Sequence, residues 1–410
     1  MFSKKTITEG LLVSVSDYFL FASNFLIIFL INYFLGAQQV GYYSTSMAIA
    51  QIFYLTFGTP LALILRREIV VKPESVKKYI NSFTSFKLLL FCAVSFVLLL
   101  FKYCFNNPLY TVVFVFFLIK GVEFLADSFL VYFQSLKKFK IYAILKIIYG
   151  IFSIAIISLL YFRIAIFIVY GLLFCLSIFY LFISVLFYWI ENKSLLWDLD
   201  FMLLRYIKNK SWPLFLNAVL YQIASRGNII ILSIFLTAAL IGEYTMGLTI
   251  VAALTAFVNS IALVLFPNLT TAYLENKQLF LKNIDKLLKF IFLIGIVITI
   301  VYNLSIGEIN FYFLKWDENL IYLTRIMSLT IIPILLIGII GNLFTIIYEQ
   351  KQGLYASIVS VVITLSVNLL VGATKNMHFV GIGYFVCNFL SFFVFYIWLR
   401  ILIQRQIVSA

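Results

Sequence analysis

Residues 27–49 read "IIFLINYFLGAQQVGYYSTSMAI": an apolar run, a brief polar break at "GAQQ", then a second run that turns apolar again. A soluble helical hairpin would alternate apolar and polar residues around each helix. Here the first run is apolar almost throughout, and it continues upstream to about residue 10. Moved along the chain by about 201 residues, the stretch meets itself without gaps at 228–250, "NIIILSIFLTAALIGEYTMGLTI". The matches are Ile28 with Ile229, Phe34 with Phe235, Leu35 with Leu236, Ala37 with Ala238, Gly41 with Gly242, Tyr43 with Tyr244 and Ile49 with Ile250. Ile- and Leu-rich segments agree often by chance, but Gly-x-Tyr after a short break is harder to dismiss. The chain therefore reads as two parallel halves built on one plan.

Composition names the solvent. Of 410 residues, 64% are hydrophobic and 11% charged, and the mean hydropathy is +1.09. Soluble domains run about 45–50% apolar and about 25% charged. A water-soluble core cannot hide this much apolar surface, so the surroundings are lipid. A membrane helix needs roughly 20 apolar residues, which predicts twelve spans at 10–35, 42–65, 83–105, 109–133, 141–162, 165–190, 212–236, 244–267, 288–306, 320–348, 354–372 and 380–402. The expected fold is an all-α integral membrane protein with two six-helix lobes, 1–190 and 212–410, around a central cavity. An amphipathic cytoplasmic linker, 191–211, joins them. A site near the midplane between two repeated lobes is a transporter plan.

The net charge of +14 does not imply nucleic acid, because the basic residues do not form one patch. Sorting them by span with the N-terminus in the cytoplasm puts 21 of the 30 on the cytoplasmic side, five outside and four within spans. That bias predicts cytoplasmic termini. The basic start "MFSKKTITEGLL" precedes too long an apolar run for a signal peptide and lacks an A-x-A site, so it reads as a retained first span. Cys92, Cys104, Cys175 and Cys387 are far apart, without C-x-x-C spacing, and read as small core hydrophobes.

Charges inside spans are costly, about 2.5–3.5 kcal/mol each on insertion scales, and so mark the candidate site. In "FFLIKGVEFLAD" (116–127), Lys120, Glu123 and Asp127 share one helix face. At ~100° per residue Glu123 falls about 60° and Asp127 about 20° to one side of Lys120. Lys120 and Glu123 can pair at i, i+3. Alternatively the stripe walls a hydrated cavity, with a carboxylate titrating during transport. Lys146 and Lys87 are possible partners for the surplus negative charge. Asp17 and Asn24 share a face of span 1. In span 7, "QIASRGNIII" sets Gln222, Ser225, Arg226 and Asn228 near mid-membrane. Arg226 keeps its proton and has no acid in its own helix, so it needs an anion from another helix, Asp17 for example, or from a ligand such as a phosphate. Asn342, Asn368 and Asn388 read as helix–helix hydrogen bonders.

No G-x-x-x-x-G-K-[ST] is present, so this chain offers no ATPase loop. The single histidine, His378, sits in an expected outer loop. "DLD" at 198–200 is too short and too common a match to argue a metal-dependent glycosyltransferase. The sequence implies no cofactor, no metal and no catalytic residue.

The step "YFLGAQQVGYYSTSMAIAQIF" followed by "RRE" resembles the start of Wzx-type O-antigen and capsular polysaccharide flippases, of the multidrug/oligosaccharidyl-lipid/polysaccharide (MOP) exporter superfamily. The span-4 "KGVE" with its later Gln134 and "KKFK", the "SWP" opening span 7, and "IGEY" fit the same family. The resemblance implies a carrier moving undecaprenyl-pyrophosphate-linked oligosaccharide repeat units across a bacterial cytoplasmic (inner) membrane by alternating access, for O-antigen, lipopolysaccharide or capsule synthesis. Its partners would be that lipid-linked oligosaccharide, the bilayer, a polysaccharide polymerase and a chain-length regulator, with no nucleic acid. It assigns substrate binding to Arg226 and Lys120, with Asn24, Gln222 and Asn228 beside them. Asp17, Glu123, Asp127 and Lys146 become ion-coupling or cavity charges. One departure is that related sequences often carry an acid near the position of Arg226. A drug exporter would need an acidic interior, and a glycan polymerase a large external loop; this chain has neither.

Overall fold

The computed structural model describes residues 4–71, 75–104, 108–136, 138–192, 200–310, 316–347 and 349–408. Lys72, Lys137, Lys193, Asp198, Lys315 and most of the 106–108 turn lie outside them. The described residues form thirteen α-helices and no strand. These are α1 (Lys4–Leu35), α2 (Ala37–Val71), α3 (Val76–Cys104), α4 (Pro108–Ser135), α5 (Phe139–Ser158), α6 (Ile166–Asn192), α7 (Phe201–Phe235), α8 (Ala238–Glu275), α9 (Lys277–Ile309), α10 (Glu318–Ser328), α11 (Ile331–Ile346), α12 (Gln350–Thr374) and α13 (Met377–Val408). With α10 and α11 read as one interrupted span, each of the twelve expected spans has its helix. Ten candidate spans are long and apolar enough to cross a bilayer among the described residues, and α2 and α7 are 35 residues each.

The break between α10 and α11 has a local cause. Pro333 has no backbone N–H, so the Leu329 carbonyl one turn earlier loses its helical donor. The turn tightens there to i→i+3 bonds from Leu329 and Thr330. The Thr330 and Ser328 hydroxyls cap carbonyls of Met327 and Arg325 at 2.6 and 2.7 Å.

The repeat is visible in the backbone. Helix α1 stops at Leu35 and α2 starts at Ala37; α7 stops at Phe235 and α8 starts at Ala238. The two halves make this corner with different chemistry. Gly36 turns it at φ +81°, a backbone region that costs any residue with a Cβ. Its counterpart Thr237 stays extended and caps α8 through its hydroxyl, which accepts from the Leu240 N–H at 3.5 Å.

By internal packing the chain forms two compact units, Met1–Arg226 and Gly227–Ala410, with the boundary inside α7. Helix α7 is continuous from Phe201, so the second part of the 191–211 stretch runs into the span without a break. In the first unit α4 lies at the centre, packing on α2, α3, α5 and α6, while α1 packs on α5. Its buried row includes Phe116, Phe117, Ala126, Phe129 and Phe133. In the second unit α13 and α11 hold the centre, against α8, α9, α10 and α12. Outward faces are also apolar: on α9, Leu293, Val297, Val301 and Leu304 are exposed at helical spacing. That face suits lipid and not water. Among the cysteines only Cys387 is buried, while Cys92, Cys104 and Cys175 are exposed, contrary to their reading as core residues. In a bilayer an outward face is itself apolar, so a weakly polar thiol is cheap there.

Candidate functional site

Among the described residues, three ion pairs lie within the membrane-spanning part of the first unit, and each bears on a residue singled out from sequence. On α4, Lys120 Nζ reaches both Glu123 oxygens, at 2.9 and 2.7 Å. The same carboxylate accepts from the Tyr149 hydroxyl of α5 at 2.7 Å, and Tyr149 also meets the Ser177 hydroxyl of α6 at 3.1 Å. One turn along, Asp127 faces α3, where Lys87 Nζ stands 3.7 Å from Oδ2. Lys87 is buried, donates to the Phe124 carbonyl at 2.9 Å, and lies 4.4 Å from the centre of the Phe124 ring. The third pair joins α1 to α5: Lys146 Nζ is 2.6 Å from Asp17 Oδ1. Tyr142 closes a triangle, donating to Asp17 at 2.9 Å and accepting from Lys146 at 2.5 Å.

The expected stripe on α4 therefore exists, but its carboxylates go to different neighbours. Of the two lysines considered for surplus charge, Lys87 takes Asp127, whereas Lys146 takes Asp17, because α5 packs on α1. These pairs form one cluster. The charges of Glu123, Asp127 and Asp17 all act on the Tyr180 hydroxyl of α6, and the rings of Tyr149 and Tyr180 stand 4.6 Å apart. Arg226 is exposed, and its charge, together with that of Glu123, acts on Tyr43 of α2.

Burial differs sharply across two of the three pairs. The Asp17 and Asp127 side chains are 47% and 43% exposed, while Lys146 and Lys87 are 18% and 2% exposed. A half-exposed carboxylate in mid-span is tolerable only where the exposed side meets water. In these two pairs the ammonium is the more buried end and the carboxylate the more exposed one, whereas Lys120 and Glu123 are similarly buried, at 17% and 23% exposure.

The remaining polar candidates are spread more widely. Asn24 is half-buried on α1. Gln222 is buried, and its carbonyl oxygen has no hydrogen-bond partner among the described residues. Asn228 belongs to the second unit, where it donates to the Tyr244 hydroxyl at 2.8 Å and accepts from the Ile229 N–H. Asn368 and Asn388 bond back to carbonyls of their own helices, at Thr364 and Tyr384. Tyr142, Tyr149, Ser177 and Tyr180 were not found from sequence. A signal existed: Tyr142, Lys146, Tyr149 and Ser153 recur at i, i+4, i+7 and i+11, a polar stripe on α5 matching the one on α4.

A second polar cluster closes the end of this unit where α4 and α6 finish. Glu191 pairs with Lys138 at 2.6 Å and accepts from Tyr132 at 3.1 Å. Asp200, the last residue of "DLD", pairs with Lys78 at 2.6 Å. A carboxylate occupied in this way adds nothing to a metal-site reading.

The all-helical architecture is that of the MOP transporters. The lipid II flippase MurJ, in an inward closed conformation, superposes with a TM-score of 0.72 at 14% identity, covering 94% of this chain and 86% of that one. A MOP superfamily transporter from Pyrococcus furiosus, described as having a binding pocket of reverse polarity, gives 0.61 at 13% identity, covering 96% and 94%. A mutant of the MATE transporter VcmN from Vibrio cholerae gives 0.65 at 13% identity, covering 98% and 96%. Within that fold, the chain belongs to the polysaccharide biosynthesis protein family, whose model matches residues 7–272. No curated protein sequence matches it.

Proposed function

We propose that this protein is a flippase that carries an undecaprenyl-pyrophosphate-linked oligosaccharide from the inner to the outer leaflet of a bacterial cytoplasmic membrane, for O-antigen or capsule synthesis. The observation that carries this reading is the matched charge of the intramembrane cluster: three lysines stand against three carboxylates. A cation exporter needs unmatched acid, whereas a diphosphate head-group needs ammonium or guanidinium groups within reach. Lys120, Lys146 and Arg226 supply them in the first unit, and Asn24 and Gln222 add amide groups suited to sugar hydroxyls. Asn228, held by Tyr244, positions the second unit's first corner. Asp17 and Glu123 serve as the charges that cycle during transport, and Asp127 as a cavity charge held by Lys87.

The lipid tail stays in the bilayer, so only the head-group needs shielding from it. The substrate is moved and not altered, which gives the chain no enzymatic role. In this reading both termini and the 191–211 linker are cytoplasmic, the latter between lobes at 1–190 and 212–410. A polymerase and a chain-length regulator take over the product outside.

The test is deletion of the gene in its host. Lipid-linked oligosaccharide should accumulate on the cytoplasmic face, and plasmid-borne wild-type protein should restore surface glycan. Arg226→Ala should remain in the membrane yet fail to restore it. Normal surface glycan in the deletion strain would sink the reading, and normal glycan with Arg226→Ala would remove that residue from the site.

A further inference from the structure

The intramembrane cluster has a formal balance that constrains how it can bind anything anionic. Lys120, Lys146 and Lys87 are matched by Glu123, Asp17 and Asp127. A diphosphate diester brings about two further negative charges. Placed beside intact carboxylates within hydrogen-bonding distance of the same ammonium groups, those charges would repel by several kcal/mol at the low effective dielectric of a protein interior. The anion can reach the lysines only if their carboxylates leave, and a displaced carboxylate in mid-membrane is costly while it stays charged.

We propose that Asp17 and Glu123 are resident counter-anions which the substrate's diphosphate displaces, each taking up a proton from water as it leaves its lysine. This rests on the diphosphate reading above. The geometry separates these two acids from the third. Asp17 is 47% exposed, and it lies on Lys146, which also holds the Tyr142 hydroxyl. Glu123 can pass its hold on the Tyr149 hydroxyl to Ser177, already 3.1 Å from that oxygen. Asp127 is the one carboxylate facing a fully buried ammonium, Lys87, which also holds the Phe124 carbonyl. No substrate reaches Lys87 without opening the α3–α4 contact, so this pair stays closed.

The groups facing the exchange are known on each helix around it. Asp17 comes from α1; Tyr43 from α2; Lys87 from α3; and Lys120, Glu123 and Asp127 from α4. Tyr142, Lys146 and Tyr149 come from α5, Tyr180 from α6 and Arg226 from α7. The chemistry is a proton transfer alone: each carboxylate gains one proton from hydronium, leaving water, and no covalent bond to the substrate forms or breaks.

Linkage gives the measurable consequence. If binding takes up one proton, affinity weakens roughly tenfold for each unit of rising pH over the window in which the free carboxylate is charged and the bound one protonated. Two protons give roughly a hundredfold. The probe is a short-chain prenyl-diphosphate-linked monosaccharide, whose diester phosphates do not titrate near neutral pH. It is titrated into the full-length protein in lipid nanodiscs, by calorimetry in two buffers of different ionisation enthalpy. We expect wild type to take up between one and two protons. Asp17→Asn and Glu123→Gln, close in shape to the native side chains, should each bind about tenfold tighter at neutral pH and take up one proton fewer. Infrared difference spectra should show a carboxylic acid band on binding that weakens in either variant.

Saturable binding with no proton uptake, or uptake unchanged in both variants, overturns the displacement while leaving the diphosphate reading standing. No saturable binding in wild type or either variant overturns both.

Discussion

The two units answer the same problem, polar groups in a lipid-surrounded bundle, in different ways. The first keeps three ion pairs deep in its helices. The second, among the described residues, keeps amides and hydroxyls within its helices. Asn228 holds Tyr244, Asn303 holds Ser328 at 2.8 Å, and Ser360 meets Ser391 at 2.7 Å. Its ion pair, Arg400 with Asp285 at 2.8 Å, lies towards the ends of α13 and α9. The backbone repeat is shared and the charge is not. Buried amide–hydroxyl bonds fix helix positions at modest energy, commonly under about 2 kcal/mol in membranes. Ion pairs add a response to protons and anions. On the proposed reading, binding and its coupling fall to the first unit and a steadying role to the second.

The largest effect that would break this comparison concerns Lys87 and Asp127. If the pair is structural, the two ends are unequal. Asp127→Asn leaves a buried ammonium without its counter-charge and should cost about 3 kcal/mol, the low end for breaking a buried pair. Lys87→Met removes the buried charge itself and leaves only a half-exposed carboxylate, and should cost much less. Thermal unfolding in detergent measures both, and Lys87→Met with Asp127→Asn should recover most of the loss. Equal melting temperatures for the two single variants would show that the burial asymmetry carries no energy.

Packing around the α4 stripe gives the next effect. A Cβ on Gly121 would meet the Phe91 ring and the Tyr54 hydroxyl, because α2 and α3 close on α4 at that point. Gly121→Ala should therefore destabilise by about 2 kcal/mol, as overpacking does. It should also displace the adjacent Lys120 and lower transport. Gly171→Ala, with open space around it, is the control and should be silent.

Lys120 and Glu123 separate stability from transport. Removing Lys120 alone leaves the carboxylate with the Tyr149 hydroxyl. Lys120→Ala should lose about 1 kcal/mol, and adding Glu123→Ala should restore part of it, the mark of a coupled pair in a double-mutant cycle. Surface glycan should stay low in both, since the ammonium is absent from both. Glycan rescued by the double variant would make Lys120 merely the neutraliser of Glu123.

The sequence reveals much of this because membrane chains spend charge reluctantly. Spans follow from apolar length. The stripe on α4 follows from spacing, and the corner repeat from Gly41/Tyr43 and Gly242/Tyr244. Partner choice does not follow. Lys146 lies on Asp17 because α5 packs on α1, a tertiary fact that no local spacing carries. Tyr149 and Ser177 are hidden for another reason: tyrosine and serine are common in apolar spans, and only the hydrogen bonds that run from Glu123 to Tyr149 and on to Ser177 set these two apart. Arg226 stands out by lacking an acid in its own helix. Its nearness to Tyr43 required the fold.

The smallest effect tests the repeat itself. Gly36 and Thr237 occupy equivalent corners but meet different demands. At φ +81°, with nothing within 4 Å of where a Cβ would stand, Gly36 is needed for backbone conformation and not for space. Gly36→Ala should cost about 1 kcal/mol, the left-handed penalty for a residue with a Cβ, and Gly36→Asn less, since asparagine tolerates that region. Thr237→Ala removes a cap whose hydrogen bond is long at 3.5 Å. The loss should be about 0.5 kcal/mol, the weak end of capping effects, and Thr237→Ser should retain the cap. A glycine at 237 should also be nearly neutral, because glycine is itself a tolerated cap. If Thr237→Gly proves as costly as Gly36→Ala, the second corner depends on threonine for more than its cap, and the two corners would no longer be variants of one device.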